Sequence, residues 1–170
     1  NFDTDDNRVT GQRLYAEAGG AYPMRWLAGF LKPTVKYRQV YYSLDDHNRF
    51  PDDSPSSGAA LASLDGGLIF ERNFRFSDKA LLQTLEPRLY YLYSEYEDQS
   101  DQPDFDSAEL TFISNQPFRE TRFSGRDRID DANQISAGLV TNFIDERDGS
   151  NLLSAGVSQI YYFRDRKVRL

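Results

Sequence analysis

Cysteine is absent from this chain of 170 residues, so disulfides and thiolate metal sites are excluded as sources of stability. Long apolar runs are absent too. Mean hydropathy is −0.68, and no segment approaches the about 20 apolar residues of a transmembrane helix, which excludes a helical membrane protein. Basic residues are outnumbered by acidic ones, 20 against 27, whereas a nucleic-acid surface needs clustered Lys and Arg. No nucleic acid is therefore expected as a partner.

Histidine is almost absent, which limits both catalysis and metal binding. The only histidine, His47, lies in an acidic loop with Asp45, Asp46, Asp52 and Asp53. Clustered oxygens attract hard cations such as Ca²⁺, but this spacing matches no defined metal loop. The stretch 145–149 also lacks the bidentate Glu of a Ca²⁺ loop and is better interpreted as a hairpin turn.

A hydrolytic site needs a nucleophile, a base and an orienting acid together, and the sequence offers no such set. We expect no enzyme activity, no cofactor and no dedicated metal site. Incidental divalent binding by the loop around His47 stays open.

Aromatic residues are abundant, with 12 Phe and 11 Tyr, and they join an alternating pattern. In the run LLQTLEPRLYYLY at residues 81–93, one face carries apolar side chains and the other carries Thr84, Glu86 and Arg88. Thirteen residues at about 3.3 Å each reach about 43 Å, and a 45° tilt leaves about 30 Å, the thickness of a bilayer's hydrocarbon core. The pattern favours a strand with lipid on one side and water on the other.

Six stretches alternate in this way: residues 10–22, 26–44, 59–72, 81–93, 133–144 and 152–163. Short links, at 23–25, 73–80 and 145–151, join the members of each pair, whereas long hydrophilic loops, Asp45–Gly58 and Ser94–Ala132, separate the pairs. Short turns at one rim and long loops at the other are typical of outer-membrane barrels. We predict an all-β fold, an antiparallel up-and-down transmembrane β-barrel.

About six strands are fewer than the smallest barrel of about eight. Residues 1–170 are therefore expected to form part of a single outer-membrane barrel domain, excised from a longer protein, since the chain starts without Met and stops after a strand. Pro33 and Pro87 fall inside predicted strands, where proline removes a ladder donor. We predict a bulge or a missing hydrogen bond at each.

Three segments carry a family resemblance: LEPRLYYLYSEYEDQSDQ at 85–102, FRETRFSGRDRIDDANQ at 118–134 and GVSQIYYF at 156–163. In order and approximate spacing they resemble the barrel domain of the lipopolysaccharide-assembly outer-membrane protein family LptD, also called organic solvent tolerance protein. Weaker similarity extends through GLIFER at 67–72 and the first hairpin, so the resemblance covers essentially the whole chain.

The resemblance implies an outer-membrane translocon of Gram-negative bacteria that inserts lipopolysaccharide into the outer leaflet. It also implies a plug lipoprotein, LptE, inside the barrel, and periplasmic lipopolysaccharide-bridge proteins that act through a domain outside these residues. This segment would then supply barrel wall and extracellular loops, surrounded by membrane lipids.

The arginine-rich stretch 118–129 mixes guanidinium groups with aromatic rings, a composition found in solvated loops with internal ion pairs and also at partner interfaces. In this family a long loop of this kind folds inward against the plug. The resemblance implies plug contacts from Phe118, Arg119, Arg122, Phe123, Gly125, Arg126, Asp127 and Arg128.

The alternation assigns Leu85, Leu89, Tyr91 and Tyr93 to lipid and Thr84, Glu86 and Arg88 to the lumen. Glu86 and Arg88 would either pair with neighbouring strands or touch the plug or an anionic lipid head group. Two other functions fit the same alternation: a general diffusion porin or other outer-membrane channel, and a soluble β-sandwich or ligand-binding barrel with the apolar face inside.

Overall fold

The computed structural model describes residues 11–45, 54–111 and 116–170. These residues form an antiparallel sheet of eight strand segments: β1 (Gly11–Ala21), β2 (Met24–Trp26), β3 (Gly29–Leu44), β4 (Ser56–Leu68), β5 (Phe70–Phe76), β6 (Lys79–Ser94), β7 (Ala132–Asp145) and β8 (Asn151–Tyr162). A 3₁₀ turn at Gln116–Phe118 is the helical element of the described ranges, and no helix there is long and apolar enough to cross a bilayer.

The strands follow one another as an up-and-down meander. The order across the sheet is β1, β3, β4, β6, β7, β8, with β2 paired to β3 and β5 paired to β6. Both β1 and β2 keep one register against β3, and both β4 and β5 keep one register against β6, so eight segments occupy six strand positions. The all-β antiparallel prediction is confirmed, and within the described residues β1 and β8 are the two edges of a sheet that does not close.

The two strand interruptions lie opposite the two prolines. In the shared registers Pro33 faces Tyr22 and Pro87 faces Leu68, where β1 gives way to β2 and β4 to β5. The N–H of Tyr22 donates to the Pro33 carbonyl at 3.0 Å, but proline has no N–H to donate in return. The predicted missing hydrogen bond is thus confirmed at Pro33, and beside Pro87 the ladder between β4 and β6 ends at the pair Gly67 and Arg88. No register shift accompanies either proline in the described ladders, where the one shift lies between Phe143 and Ile144.

Two of the predicted links are misplaced. The strand expected to stop before residues 23–25 continues as β2, and the chain turns at Leu27 and Ala28, because Pro23 removes a hydrogen bond without changing the direction of the chain. The link expected at 73–80 narrows to Ser77 and Asp78, with Ser77 at a φ of 56°. The third link is confirmed, since Gly149 adopts a φ of 73° between β7 and β8.

One face of the sheet is apolar and exposed. On β6 Leu89 is 55% exposed, and on β8 Val157 is 70% exposed, although both lie in the middle of long strands. We call this the apolar face; its members on β3 to β8 include Val35, Tyr37, Tyr41, Leu64, Leu68, Leu85, Leu89, Tyr91, Tyr93, Ile135, Leu139, Leu153, Val157 and Tyr161.

The opposite face, here called the polar face, carries charged and small residues at the alternate positions, among them Arg13, Glu17, Lys36, Arg38, Asp65, Thr84, Glu86, Arg88, Gln134, Ser136 and Gly138. Buried apolar residues occur on this side only near the long-loop end. They form two clusters, one around Val40, Tyr42 and Ile129 and one around Leu61 and Leu92. The hydrophobic core of the described chain therefore lies beneath the loop that joins β6 to β7.

Candidate functional site

The described part of the loop between β6 and β7, residues 95–111 and 116–131, folds back over the polar face of the sheet, and we call it the covering loop. Ile129 packs against Val40 and Tyr42 in one buried cluster, and Phe118 packs against Leu61 and Leu92 in the other. Gln99 fixes this position, because its amide group exchanges two hydrogen bonds of 2.8 Å with the backbone of Ile129. The loop is thus part of the folded core rather than an exposed appendage.

Phe118 is anchored by both charge and shape. The Arg88 guanidinium lies 4.4 Å from the centroid of its ring, and the same guanidinium donates to the Asp65 carboxylate at 2.8 and 2.7 Å. Behind the ring, β7 carries Gly138, where an added Cβ would lie only 2.6 Å from the Phe118 Cζ atom. An added side chain at position 138 would therefore force the Phe118 ring to shift.

A second anchor is a four-membered charge cluster. The loop residue Glu120 accepts hydrogen bonds from Lys36 at 3.0 Å and from Arg38 at 2.5 Å. Glu17 on β1 contacts the same two cations, at 3.3 and 2.8 Å. Two acids and two bases from three segments balance one another, so that the polar face carries no uncompensated charge at this point.

The third anchor is the fully buried carboxylate of Asp127. It receives the Arg13 guanidinium from β1, the backbone N–H groups of Phe105 and Asp106 at 3.1 and 2.8 Å, and the Ser107 hydroxyl at 3.0 Å. Burial alone would raise the pKa of Asp127. The backbone N–H of Asp106 and the Arg13 guanidinium outweigh burial and hold the pKa well below the usual carboxyl range.

The end of the covering loop is tied to the residues that follow β8. Asp130 accepts hydrogen bonds from the Arg122 backbone N–H at 2.8 Å and from the guanidinium groups of Arg122 and Arg166. Asp131 accepts from the backbone N–H groups of Lys167 and Val168, each at 3.0 Å. Residues 164–170 therefore lie against the covering loop, and the two chain segments stabilise each other.

The predicted site residues take up different positions within this loop. Phe123 is buried, and Arg128 donates to the carbonyls of Gln102 and Pro103, both at 2.9 Å. Arg126 is exposed and lies 4.5 Å from the ring of Tyr15 on β1. Gly125 is exposed at a φ of +70°, a backbone conformation that favours glycine. Arg119 is only partly buried, and its backbone N–H donates to Gln116.

On β6 the alternation separates the predicted residues as expected. Leu85, Leu89, Tyr91 and Tyr93 lie exposed on the apolar face, and Thr84, Glu86 and Arg88 share the polar face. Between the two alternatives for the charged pair, the structure shows contacts with neighbouring strands. Arg88 binds Asp65 on β4, and Glu86 accepts from Asn142 on β7 at 3.0 Å.

Sequence reasoning missed Arg13, which binds the covering loop from β1, and the strand acids Glu17 and Asp65, which bind the cations that the loop contacts. It also missed Asp130 and Asp131, the loop residues that bind the segment after β8. The charges on β1, β3 and β4 alternate with apolar residues in the sequence, which was a usable signal for their shared face. Nothing in the sequence paired a given strand charge with a given loop residue.

The acidic loop proposed as an incidental cation site lies mostly outside the described residues, which omit 46–53 and therefore His47. Within the described ranges, no three His, Cys, Asp or Glu side chains are grouped as a metal ion would require. The interpretation of the acidic loop stays a prediction.

Comparison with known proteins identifies the family. The family model "LptD: LPS transport system D" matches residues 1–170. Three similar relatives carry the name LPS-assembly protein LptD. That of Pseudomonas aeruginosa strain LESB58 is 43% identical over 173 residues, covering 96% of this chain and 18% of the relative.

The relative from Ectopseudomonas mendocina is 42% identical over 181 residues, with 96% of this chain and 19% of the relative covered. The relative from Saccharophagus degradans is 39% identical over 176 residues, with 97% and 20% covered. The chain thus spans about a fifth of the length of the relatives it matches. Since the family model covers the chain from end to end and identity is about 40% throughout, this chain belongs to the LptD family.

Proposed function

We propose that this chain forms a wall segment and an inward-folded extracellular loop of an outer-membrane translocon that inserts lipopolysaccharide into the outer leaflet. One observation carries the proposal. The exposed side of the sheet is apolar along long strands, whereas the charged side is covered by the chain's own loop. A water-soluble sheet would bury its apolar side instead. Family membership supports lipopolysaccharide over the porin alternative as the transported class.

The wall assignment is tested with nitroxide labels in the full-length protein, reconstituted in lipid vesicles. Val157→Cys and Ser158→Cys are matched sites, because neighbouring residues of β8 point to opposite faces. We expect relaxation of the label at 157 by oxygen dissolved in the bilayer, and relaxation of the label at 158 by a water-soluble nickel complex. If the nickel complex instead relaxed the label at residue 157, the apolar face would not be in contact with lipid and the wall assignment would be wrong.

The transport assignment is tested in cells depleted of the full-length protein. We expect surface lipopolysaccharide, measured by labelling intact cells, to fall on depletion and to recover when the full-length protein is restored. If depletion left surface lipopolysaccharide unchanged while the purified barrel conducted ions freely, the porin alternative would replace the proposal.

For partners, we propose that the barrel lumen holds a plug lipoprotein of the LptE type and that the covering loop contacts it, while periplasmic bridge proteins deliver lipid to a domain outside this chain. The exposed or partly exposed members of the predicted set are the best contact points. Arg126 is exposed and Arg119 is partly exposed, whereas Phe123 and Asp127 are buried within the chain.

Photocrosslinking from the full-length complex tests this division. A photoreactive amino acid at Arg126 or Arg119 should capture the lipoprotein, and one at the buried control position Phe123 should crosslink mainly within the chain. If none of these positions crosslinked to the lipoprotein, the covering loop would not be part of the surface that contacts it.

A further inference from the structure

An arginine lies on the apolar face of the sheet, near the short-turn end, and none of the roles above uses it. Arg72 on β5 is exposed and stands opposite Gln83 of β6, which stands opposite Phe143 of β7. All three positions belong to the same alternation as Leu85 and Leu89. Apart from Lys79 at the start of β6 and the amide of Gln83, the positions around Arg72 on β5 and β6 carry apolar and aromatic side chains, so a cation here calls for a specific anion.

The guanidinium is held in place but only partly satisfied. Its Nε atom donates to the Gln83 side chain at 2.8 Å, and Gln83 in turn donates to the Thr141 hydroxyl at 3.0 Å. The guanidinium carbon lies 5.5 Å from the centroid of the Phe74 ring. Among the described residues, no carboxylate forms an ion pair with Arg72, and its two terminal Nη groups have no protein acceptor. The two Nη groups of Arg72 are therefore free to donate hydrogen bonds to a ligand.

The surroundings of the two Nη groups suit a lipid. A depression of about 340 Å³ lies beside Arg72, lined by Phe70, Glu71, Gln83 and Leu85. Phe70 and Phe76 are 52% and 71% exposed on the same side. Aromatic side chains of this kind are typical of the level where a bilayer's hydrocarbon meets its head groups.

The position of Arg72 along the strands agrees with the boundary between the bilayer's hydrocarbon and its head groups. Gln83 lies ten residues from Tyr93 along β6, and Tyr93 marks the aromatic end of the apolar face near the long loops. Ten residues at about 3.3 Å, tilted by about 40°, span about 25 Å, the height of the apolar band of an outer-membrane barrel. Arg72 therefore lies about one band height from the long-loop interface, at the interface on the short-turn side.

We propose that Arg72, positioned by Gln83, binds the phosphate of a glycerophospholipid in the leaflet on the short-turn side of the membrane, with Phe70 and Leu85 beside the lipid's glycerol and upper acyl chains. The inference rests on the proposed membrane placement of the apolar face. A planar guanidinium with two free N–H groups can donate to two oxygens of one phosphate. Because the site lies at the membrane surface, neither the guanidinium nor the phosphate is buried without a partner.

The experiment is native mass spectrometry of the purified full-length protein, titrated with phosphatidylglycerol. Arg72→Gln should weaken the tightest lipid-binding step about tenfold, the loss typical of one charge-assisted contact. Arg72→Lys should bind with an affinity between those of the parent and Arg72→Gln, because the charge remains but the two-donor fork and the Nε bond to Gln83 are lost. Arg75→Gln is the matched control: it removes a charge from the same strand three residues away but on the polar face, and should bind like the parent protein. Heat-dependent migration of the folded barrel on gels checks that each variant is folded.

Equal binding by Arg72→Gln and Arg75→Gln would overturn the inference. So would competition by inorganic phosphate at the lipid's own concentration, which would show a simple anion site, or preferential binding of purified lipopolysaccharide at Arg72, which would show the wrong lipid. The nitroxide label at residue 157 separates the two proposals. If that label lies in lipid while Arg72→Gln binds normally, only the Arg72 inference fails; if it lies in water, both fail.

Discussion

Asp127→Asn is the most informative substitution for the covering loop, because it removes one charge and changes little volume. The buried carboxylate accepts hydrogen bonds from Arg13, Phe105, Asp106 and Ser107, whereas an amide has one acceptor oxygen and brings an NH₂ group toward donors. Removing the charge from a buried, hydrogen-bonded carboxylate costs about 3 kcal/mol. Arg13 keeps its exposed partner Asp106, so the loss falls mainly on the backbone N–H groups of Phe105 and Asp106 and on the Ser107 hydroxyl, which lose their charged acceptor.

The expected result is local opening of the loop rather than unfolding of the sheet, because the strand ladders do not involve Asp127. About 3 kcal/mol corresponds to a roughly 100-fold loss of hydrogen-exchange protection. The measurement is amide exchange by mass spectrometry on the folded full-length protein, comparing peptides from residues 105–107 and 122–130 with a peptide from β6.

Asp106→Asn is the matched control. Asp106 binds the same Arg13 at 2.7 Å but is 56% exposed, so its ion pair should contribute about 1 kcal/mol or less. The reasoning is refuted if Asp127→Asn leaves loop protection unchanged, or if the control variant loosens the loop equally.

Three further outcomes are expected. Leu89→Arg should reduce the yield of membrane-inserted barrel, at a cost of about 2–4 kcal/mol near the midplane, and an unchanged inserted fraction in vesicles would argue against lipid at this face. Gly138→Val should displace Phe118 at a cost of about 1–3 kcal/mol, seen as faster proteolysis of the loop, whereas Gly20→Val, with no atom within 4 Å of the new Cβ, should not. Because the pKa of Asp127 is lowered by folding, its contribution to loop stability should be complete above the unfolded carboxyl pKa of about 3.9 and should decline only as pH falls further; loss of loop protection already at pH 5 to 6 would contradict this.

The sequence predicted the sheet well because the period-2 pattern is a local property of the chain. Alternation along residues 81–93 correctly placed Leu89 and Arg88 on opposite faces of the sheet. Turn positions were less accurate. Pro23 was interpreted as the end of a strand, but its effect is limited to hydrogen bonding, and the chain reverses only after Trp26.

The loop was harder to predict, since hydrophilic composition does not tell a solvated loop from one bonded to a charged sheet. Arg122, Arg128 and Asp127 looked like surface residues available to a partner, yet their bonds are made mainly within the chain. The small residues of β7 gave the one local hint, because Gly138 leaves the space that Phe118 fills.

By itself, the sequence determined that this chain builds long strands with one apolar and one polar face, because side-chain direction alternates with every residue of an extended backbone. Only the tertiary structure decided which charges meet. Arg13 and Asp127 are separated by 114 residues in the sequence, and Lys36 and Glu120 by 84, so their contact depends on sheet register and on how the covering loop folds back. Such pairings join residues that are distant in the sequence, so no local sequence pattern predicts them.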